Sequence, residues 1–157
     1  MTYEELLSLE NTSQSNYSPC IVANDESLAR VLFTPRHIKD DKVLPVAFDP
    51  EIFKALSVLR EKYDFQNCLD FTISQLEKGD ESYYYGYVLA KVCDIRDIRK
   101  NEFRIFYIVD SATKEKIGHA DICAIRTNDI GLPKKALNLY IRREISLVFN
   151  NLVKKTA

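Results

Sequence analysis

Three segments of this chain constrain its fold more than anything else in it: "YYYGYVLAKVCDI" (83–95), "FRIFYIV" (103–109) and "KIGHADICAI" (116–125). Each is rich in Tyr, Phe, Val and Ile, whose bulk at or near Cβ suits a pleated, half-buried surface, and short polar stretches separate them. They predict three antiparallel strands. The connection "DSATKE" (110–115) has a length that suits a hairpin between the last two. Within the first strand, Tyr83, Tyr85, Tyr87, Leu89, Lys91 and Cys93 share one face, and Tyr84, Gly86, Val88, Ala90 and Val92 the other.

Helical patterns lie on either side of this block. Residues 2–9 read as a short helix, with Thr2 as N-cap and Glu5 three residues on in a capping-box arrangement. The polar run "NTSQSNYSP" (11–19) reads as a loop, because Asn and Ser compete locally for backbone hydrogen bonds. "NDESLARVLF" (24–33) reads as a helix capped by Asn24 or Asp25, with Leu28, Val31 and Leu32 at helical spacing and an end before Pro35. In "KVLPVAF" (42–48), Pro45 cannot donate to a ladder, so an edge strand or extended segment is expected.

"DPEIFKALSVLREKY" (49–63) has Asp49 as N-cap, Pro50 at N1, and Ile52, Phe53, Leu56 and Leu59 along one side, which favours a helix. A strand over "ALSV" stays open. "FQNCLDFTISQLEKG" (65–79) offers Leu69, Ile73 and Leu76 to one helical face, with Gly79 as a stop. "LPKKALNLYIRREISLVFNNLVKK" (132–155) places Leu137, Ile141, Ile145, Val148 and Leu152 three or four apart, a helix of about five turns. The expectation is an α+β fold: N-terminal helices and an extended segment, then a three-stranded antiparallel meander packed by a long C-terminal helix. Residues 1–19 would form a partly mobile N-terminal arm, and residues 20–157 a single α+β domain.

The chain's 157 residues suffice for one buried core, so its four cysteines, Cys20, Cys68, Cys93 and Cys123, need not be disulfides. Their scatter forms no C-x-x-C pair, which argues against a zinc ribbon and for reduced thiols. A net charge of −1 gives no global attraction to nucleic acid or anionic membrane. The acidic start "MTYEELLSLE" does not read as a secretory signal, and no apolar run approaches the ~20 residues of a membrane span. Cytoplasmic residence without a membrane role is the expectation. Only four glycines occur, with no G-x-G-x-x-G or G-K-[ST] run, which excludes phosphate-loop and dinucleotide-fold chemistry; no cofactor is expected.

The chemistry-bearing candidates centre on the two histidines, His37 and His119. A pair facing one substrate could exchange protons near neutral pH and cleave a phosphodiester, with Arg36 steadying the developing negative charge. Asp121 shares a strand face with His119 and would fix its tautomer if the strand bends, since same-face neighbours lie ~6.6–7 Å apart. Local hydrogen bonding is the competing account of both imidazoles. A metal set of His37, His119, Asp121 and Asp40 or Asp41 ranks below the metal-free pair, for want of any H-E-x-x-H or paired-cysteine signature. Cys123 shares the face of His119 but stands ~13 Å along the strand, too far for a nucleophile–base pair. Lys134, Lys135, Arg142, Arg143, Lys154 and Lys155 beside Tyr83, Tyr85 and Tyr87 would suit single-stranded nucleic acid, yet a solvated helix face and sheet packing require the same residues. Tyrosine-rich strands also serve protein interfaces.

The order "TPRHIKDDKVLPVAF", "LSV" and a late "HA" before a basic C-terminal helix resembles a loosely defined group of short, uncharacterised bacterial proteins with the pattern P-x-H-I…A-F…L-S-V…H-A. The likeness spans about residues 28–153 and singles out Pro35, His37, Ala47, Phe48, Leu56, Ser57, Val58, His119 and Ala120. It departs from the pattern at "VLRE", where such proteins carry an acidic residue after "LSV". The resemblance implies an interaction or accessory protein of a bacterial multi-gene system, in defence or mobile-element contexts, with a protein partner or self-association. The alternative is a metal-independent hydrolase or ribonuclease-like enzyme using His37 and His119, with Asp121 and Arg36 in support. Whether the chain is an enzyme stays open between these two.

Overall fold

A six-stranded antiparallel sheet organises the computed structural model, which describes residues 1–49 and 55–156. In chain order the elements are α1 (Tyr3–Ser8), β1 (Ser27–Thr34), β2 (Ile38–Lys39), β3 (Lys42–Val43), β4 (Leu56–Arg60), α2 (Phe65–Leu76), β5 (Tyr83–Lys91), α3 (Val92–Arg96), β6 (Arg99–Lys100), β7 (Phe103–Arg104), β8 (Phe106–Asp110), β9 (His119–Ala124), α4 (Lys134–Val148) and β10 (Asn151–Lys154). The large sheet runs β10-β5-β1-β4-β9-β8, while β2-β3 and β6-β7 are small separate ribbons. The fold is α+β, and no helix among the described residues is long and apolar enough to cross a membrane.

One face of the sheet carries the main core. Leu28 and Leu32 of β1, Val58 of β4, Val88 of β5, Ile108 of β8 and Ile122 of β9 cluster there with Leu137, Ile141 and Ile145 of α4, all of them buried. These three α4 residues fall at intervals of four, so one helical stripe meets one pleat of the sheet. The other face carries a smaller cluster of Val31, Phe33, Leu59, Cys68 and Leu69, closed by α2. A bulge in the β1–β5 ladder at Leu32/Phe33 breaks the strict alternation expected of the tyrosines. Tyr84 joins Tyr87 on the α2 side, and Tyr85 packs into the α4 core.

Several sequence expectations hold in this frame. The helix at the N-terminus has its capping box from Thr2 to Glu5, α2 lies within the segment read as helical, and β5, β8 and β9 are antiparallel strands with β8 and β9 adjacent, although β5 ends at Lys91 and α3 takes the Val92–Ile95 end of the expected strand. Others are overturned. The three strands are not a meander, because β1, β4 and β9 separate β5 from β8. "NDESLARVLF" forms no helix: β1 occupies it, a central strand with apolar residues on both faces, and such a run mimics helical spacing. The strand alternative for "ALSV" is the observed one, as β4; the proposed helix start at 50–54 lies outside the described residues. Pro45 opens a 3-10 turn, Pro45–Phe48, rather than a strand. The C-terminal helix stops at Val148, and Leu152 lies in β10, which pairs with β5. That pairing needs Gly86, since a Cβ there would stand 2.4 Å from the Val153 carbonyl oxygen.

Buried ion pairs pin the ends of this sheet. Arg60, at the end of β4, is fully buried and grips Glu26 with Nε to Oε1 and Nη2 to Oε2, both at 2.7 Å, while its other donors reach the Cys20 and Ile21 carbonyls. The N-terminal residues are held by similar means. Glu10 accepts from Arg96 and Arg104, the Tyr3 hydroxyl accepts from the Arg104 backbone N–H, and Asp110 accepts from Ser13 Oγ and Gln14 N. We expect Arg60→Met to cost about 3–5 kcal/mol by leaving Glu26 buried without its partner, and the double variant Arg60→Met/Glu26→Leu to recover most of it; urea denaturation of both variants measures the difference. Gly86→Ala should release β10, seen as faster hydrogen exchange at the amides of Asn151–Lys154 with β5 amides on the β1 side unchanged.

Candidate functional site

The site begins where two neighbouring strands part. β1 pairs with β5 along its whole length, Ser27 through Thr34, but with β4 only at Leu28↔Arg60 and Ala29↔Leu59. Beyond that point β4 continues against β9, from Leu59↔His119 to Leu56↔Ile122, and a wedge opens between β1 and β4. Unpaired carbonyls in such a wedge require donors from elsewhere. Arg30 supplies one to β4, Nη1 donating to the Ser57 carbonyl at 3.0 Å, while its Nε donates to the Ala47 carbonyl of the Pro45–Phe48 turn at 2.8 Å. Its Nη2 makes no hydrogen bond among the described residues.

Two adjoining recesses lie beside the wedge, on the α2 side of the sheet, and share Arg30, Ser57 and Leu76. The inner one, about 120 Å³, is lined also by Thr72, Lys116 and His119. The outer one, about 260 Å³, is lined also by Phe33, Arg36 and His37. Gly118 allows His119 to enter this corner, since its carbonyl accepts from Arg60 N at 2.7 Å and a Cβ on it would stand 2.7 Å from the Tyr63 carbonyl oxygen.

Cations outnumber carboxylates along the cleft, whose outer recess has Asp49 in its lining and whose Lys116 feels Asp121 and Glu115. Of the five buried or half-buried arginines, Arg60, Arg96, Arg104 and Arg142 each pair with a carboxylate, and Arg30 does not. Arg36 and Lys116 likewise have no ion pair among the described residues. Burial, with a further push from Arg36, lowers the Arg30 guanidinium to about 10. Lys116 is lowered by burial against the pull of nearby acidic groups. An ionised group left without a counter-charge in a cleft is costly to fold around, and such groups mark functional sites more often than structural ones.

The predicted site residues divide between these recesses. His37 is 7% exposed and serves the turn after β1: its Nδ1 accepts from Phe33 N at 3.0 Å and its own N–H donates to the Phe33 carbonyl at 2.9 Å. Burial, then Arg30 and Arg36, lower its imidazole to about 4. A histidine so held is neutral at pH 7 and offers only a weak base, with Nδ1 already engaged. His119 is half-buried, and its Nδ1 stands 2.7 Å from Ser111 Oγ and 3.2 Å from the Ser111 carbonyl. Burial lowers its pKa against the opposing field of Asp121. Ser111, not Asp121, therefore makes the hydrogen bond that sets the tautomer. Asp121 shares the α2 face with Ser57, its cross-strand neighbour, and acts on His119 through space. Arg36 lies at the exposed rim of the outer recess.

The remaining candidates lie elsewhere. Burial pushes the Cys123 thiol up to about 11, so it stays protonated, and all four cysteines are free. Among the described residues no group of three or more His, Cys, Asp and Glu side chains is placed to hold a metal ion. Sequence reasoning passed over Arg30, Lys116 and Ser111. A signal for Arg30 existed, a lone charge inside "SLARVLF", but the helical reading of that segment rested on Leu28, Val31 and Leu32 and gave Arg30 no role. A scan against protein-family models, a search of curated proteins and a search of solved structures each find no match.

The depressed His37 pKa carries a pH dependence with a definite sign. In the unfolded chain this imidazole protonates near 6.5 and in the folded chain near 4, so between those values the unfolded state holds more protons. Its contribution is complete above about pH 6.5 and is lost as pH falls toward 4, a change of about 3 kcal/mol. Stability of the parent minus that of His37→Gln, from urea denaturation at pH 7.5 and pH 4.5, should shrink by about that amount at the lower pH.

Proposed function

We propose that the chain is an interaction or accessory domain that works by binding an anionic ligand in the cleft between α2 and the parted strands β1 and β4. One observation carries this reading: among the described residues Arg30 is the half-buried arginine without a carboxylate, held by two neutral carbonyls with one terminal nitrogen uncommitted. Arg36 and Lys116 add positive charge at the two ends of the same cleft. A ligand bearing negative charge would supply what the fold withholds, and the folded state would gain free energy when it binds.

The alternative, turnover by His37 and His119, draws support from their placement in adjoining recesses. It needs one imidazole to give a proton and the other to take one at the same bond. His37, lowered to about 4 and engaged through Nδ1, fits a structural role better than an acid near neutral pH. Recognition accordingly stands ahead of hydrolysis.

Thermal denaturation in sulfate, phosphate or citrate, compared with chloride at matched ionic strength, tests the reading. Stabilisation is expected, about 2.7 kcal/mol when the anion reaches a hundred times its dissociation constant. Arg36→Gln, an exposed substitution, should weaken the effect, and Arg30→Gln should remove it. Incubation with mixed RNA and nucleotides tests the alternative: turnover by the parent that His119→Ala abolishes without unfolding would overturn the recognition reading.

A further inference from the structure

We propose that the inner recess takes the dianionic head of a phosphomonoester, with the ester stem passing Arg30 toward the outer recess. This rests on the anion-binding reading and narrows it to one chemistry. Size comes first. At about 120 Å³ the recess is the smaller of the two and has room for a tetrahedral oxyanion.

Charge points the same way. Two cations with no ion pair among the described residues, Arg30 and Lys116, line this small space, one from β1 and one from the β8–β9 connection, with Asp121 and Glu115 acting on Lys116 only through space. A phosphomonoester carries about −1.5 to −2 near pH 7 and can balance both, whereas a carboxylate balances one. The donors are also spread over separate elements: Arg30 Nη2 on β1, the Ser57 hydroxyl on β4, which makes no hydrogen bond among the described residues, and the Lys116 ammonium. Three donors from three walls suit the oxygens of a tetrahedral group, and a planar carboxylate offers only two oxygens in one plane.

The stem has a route. Arg30, Ser57 and Leu76 border both recesses, and Phe33 and Leu56 give the outer one apolar walls below the Arg36 rim. The phosphate could belong to a free phosphorylated metabolite or to a phosphorylated side chain of a partner protein. Both present the same head to Arg30 and Lys116.

The two histidines allow a direct test, because His119 lines the inner recess and His37 does not. Their ring-proton resonances, assigned with His37→Gln and His119→Gln, are followed by NMR in the full chain at fixed pH and ionic strength. Inorganic phosphate, glycerol 2-phosphate, a phosphoserine peptide and acetate are titrated in turn. Phosphate and glycerol 2-phosphate should move the His119 signals saturably, with acetate at least about tenfold weaker, the weight of one charge-assisted hydrogen bond. Lys116→Gln, on a connection outside the core, should weaken phosphate about tenfold. A phosphoserine peptide that binds as well as glycerol 2-phosphate supports the proposal with a partner protein as the source, and glycerol 2-phosphate alone supports it with a metabolite. Equal binding of acetate and phosphate would overturn the dianion assignment and leave the anion reading standing. Phosphate binding untouched by Lys116→Gln would overturn the placement in the inner recess, and no saturable shift with any anion would overturn both readings.

Discussion

The unequal pairing of β1 governs the rest of this molecule. Along β5 its ladder is continuous apart from one bulge, and along β4 it stops after two residue pairs. A sheet that closed fully would have left no wedge, no role for Arg30 in bridging it, and no cleft under α2. The arginine ties the Ser57 carbonyl of β4 to the Ala47 carbonyl of the Pro45–Phe48 turn and adds to the cleft's positive charge. Backbone geometry thus creates the electrostatic demand that the ligand reading answers.

The contrast between Arg30 and Arg60 shows how local chemistry separates structure from function. Both are arginines of the two central strands. Arg60 is saturated, with a bidentate carboxylate, carbonyl partners and the Tyr63 ring 4.4 Å from its guanidinium carbon. Nothing further can bind it, and its value is to fix the chain between Cys20 and Glu26 against the sheet. Arg30 has half that inventory and no ion pair among the described residues, which leaves Nη2 without a partner there.

Legibility in the sequence followed the range of the forces involved. Capping at Thr2 and Glu5, the helix α2 and the aromatic strands rest on residues a few positions apart, and these were readable, although Leu76 of the expected α2 stripe is exposed and Cys68 and Thr72 are buried instead. β1 was not, because a strand buried on both faces loses its alternation and borrows the spacing of a helix. Missing β1 and holding β4 open removed the two central strands, and the order of the outer ones could not then be found. The histidines were noticed for their chemistry, yet the groups that decide their state, Phe33 N for His37 and Ser111 for His119, emerge only from the folded geometry. Leu152 shows the same limit at the C-terminus: its spacing fits a helix, and its pairing with Val88, beside the close approach of Val153 to Gly86, makes it a strand.

The N-terminal arm has a reach that its position does not suggest. Ser13 and Gln14 hold Asp110, and Ser15 Oγ donates to the Ala112 carbonyl, so the arm clasps the chain on both sides of Ser111. Ser111 is the residue that orients His119 in the inner recess. Ser13, Gln14 and Ser15 therefore brace, from the other end of the chain, the short segment whose middle residue holds the imidazole.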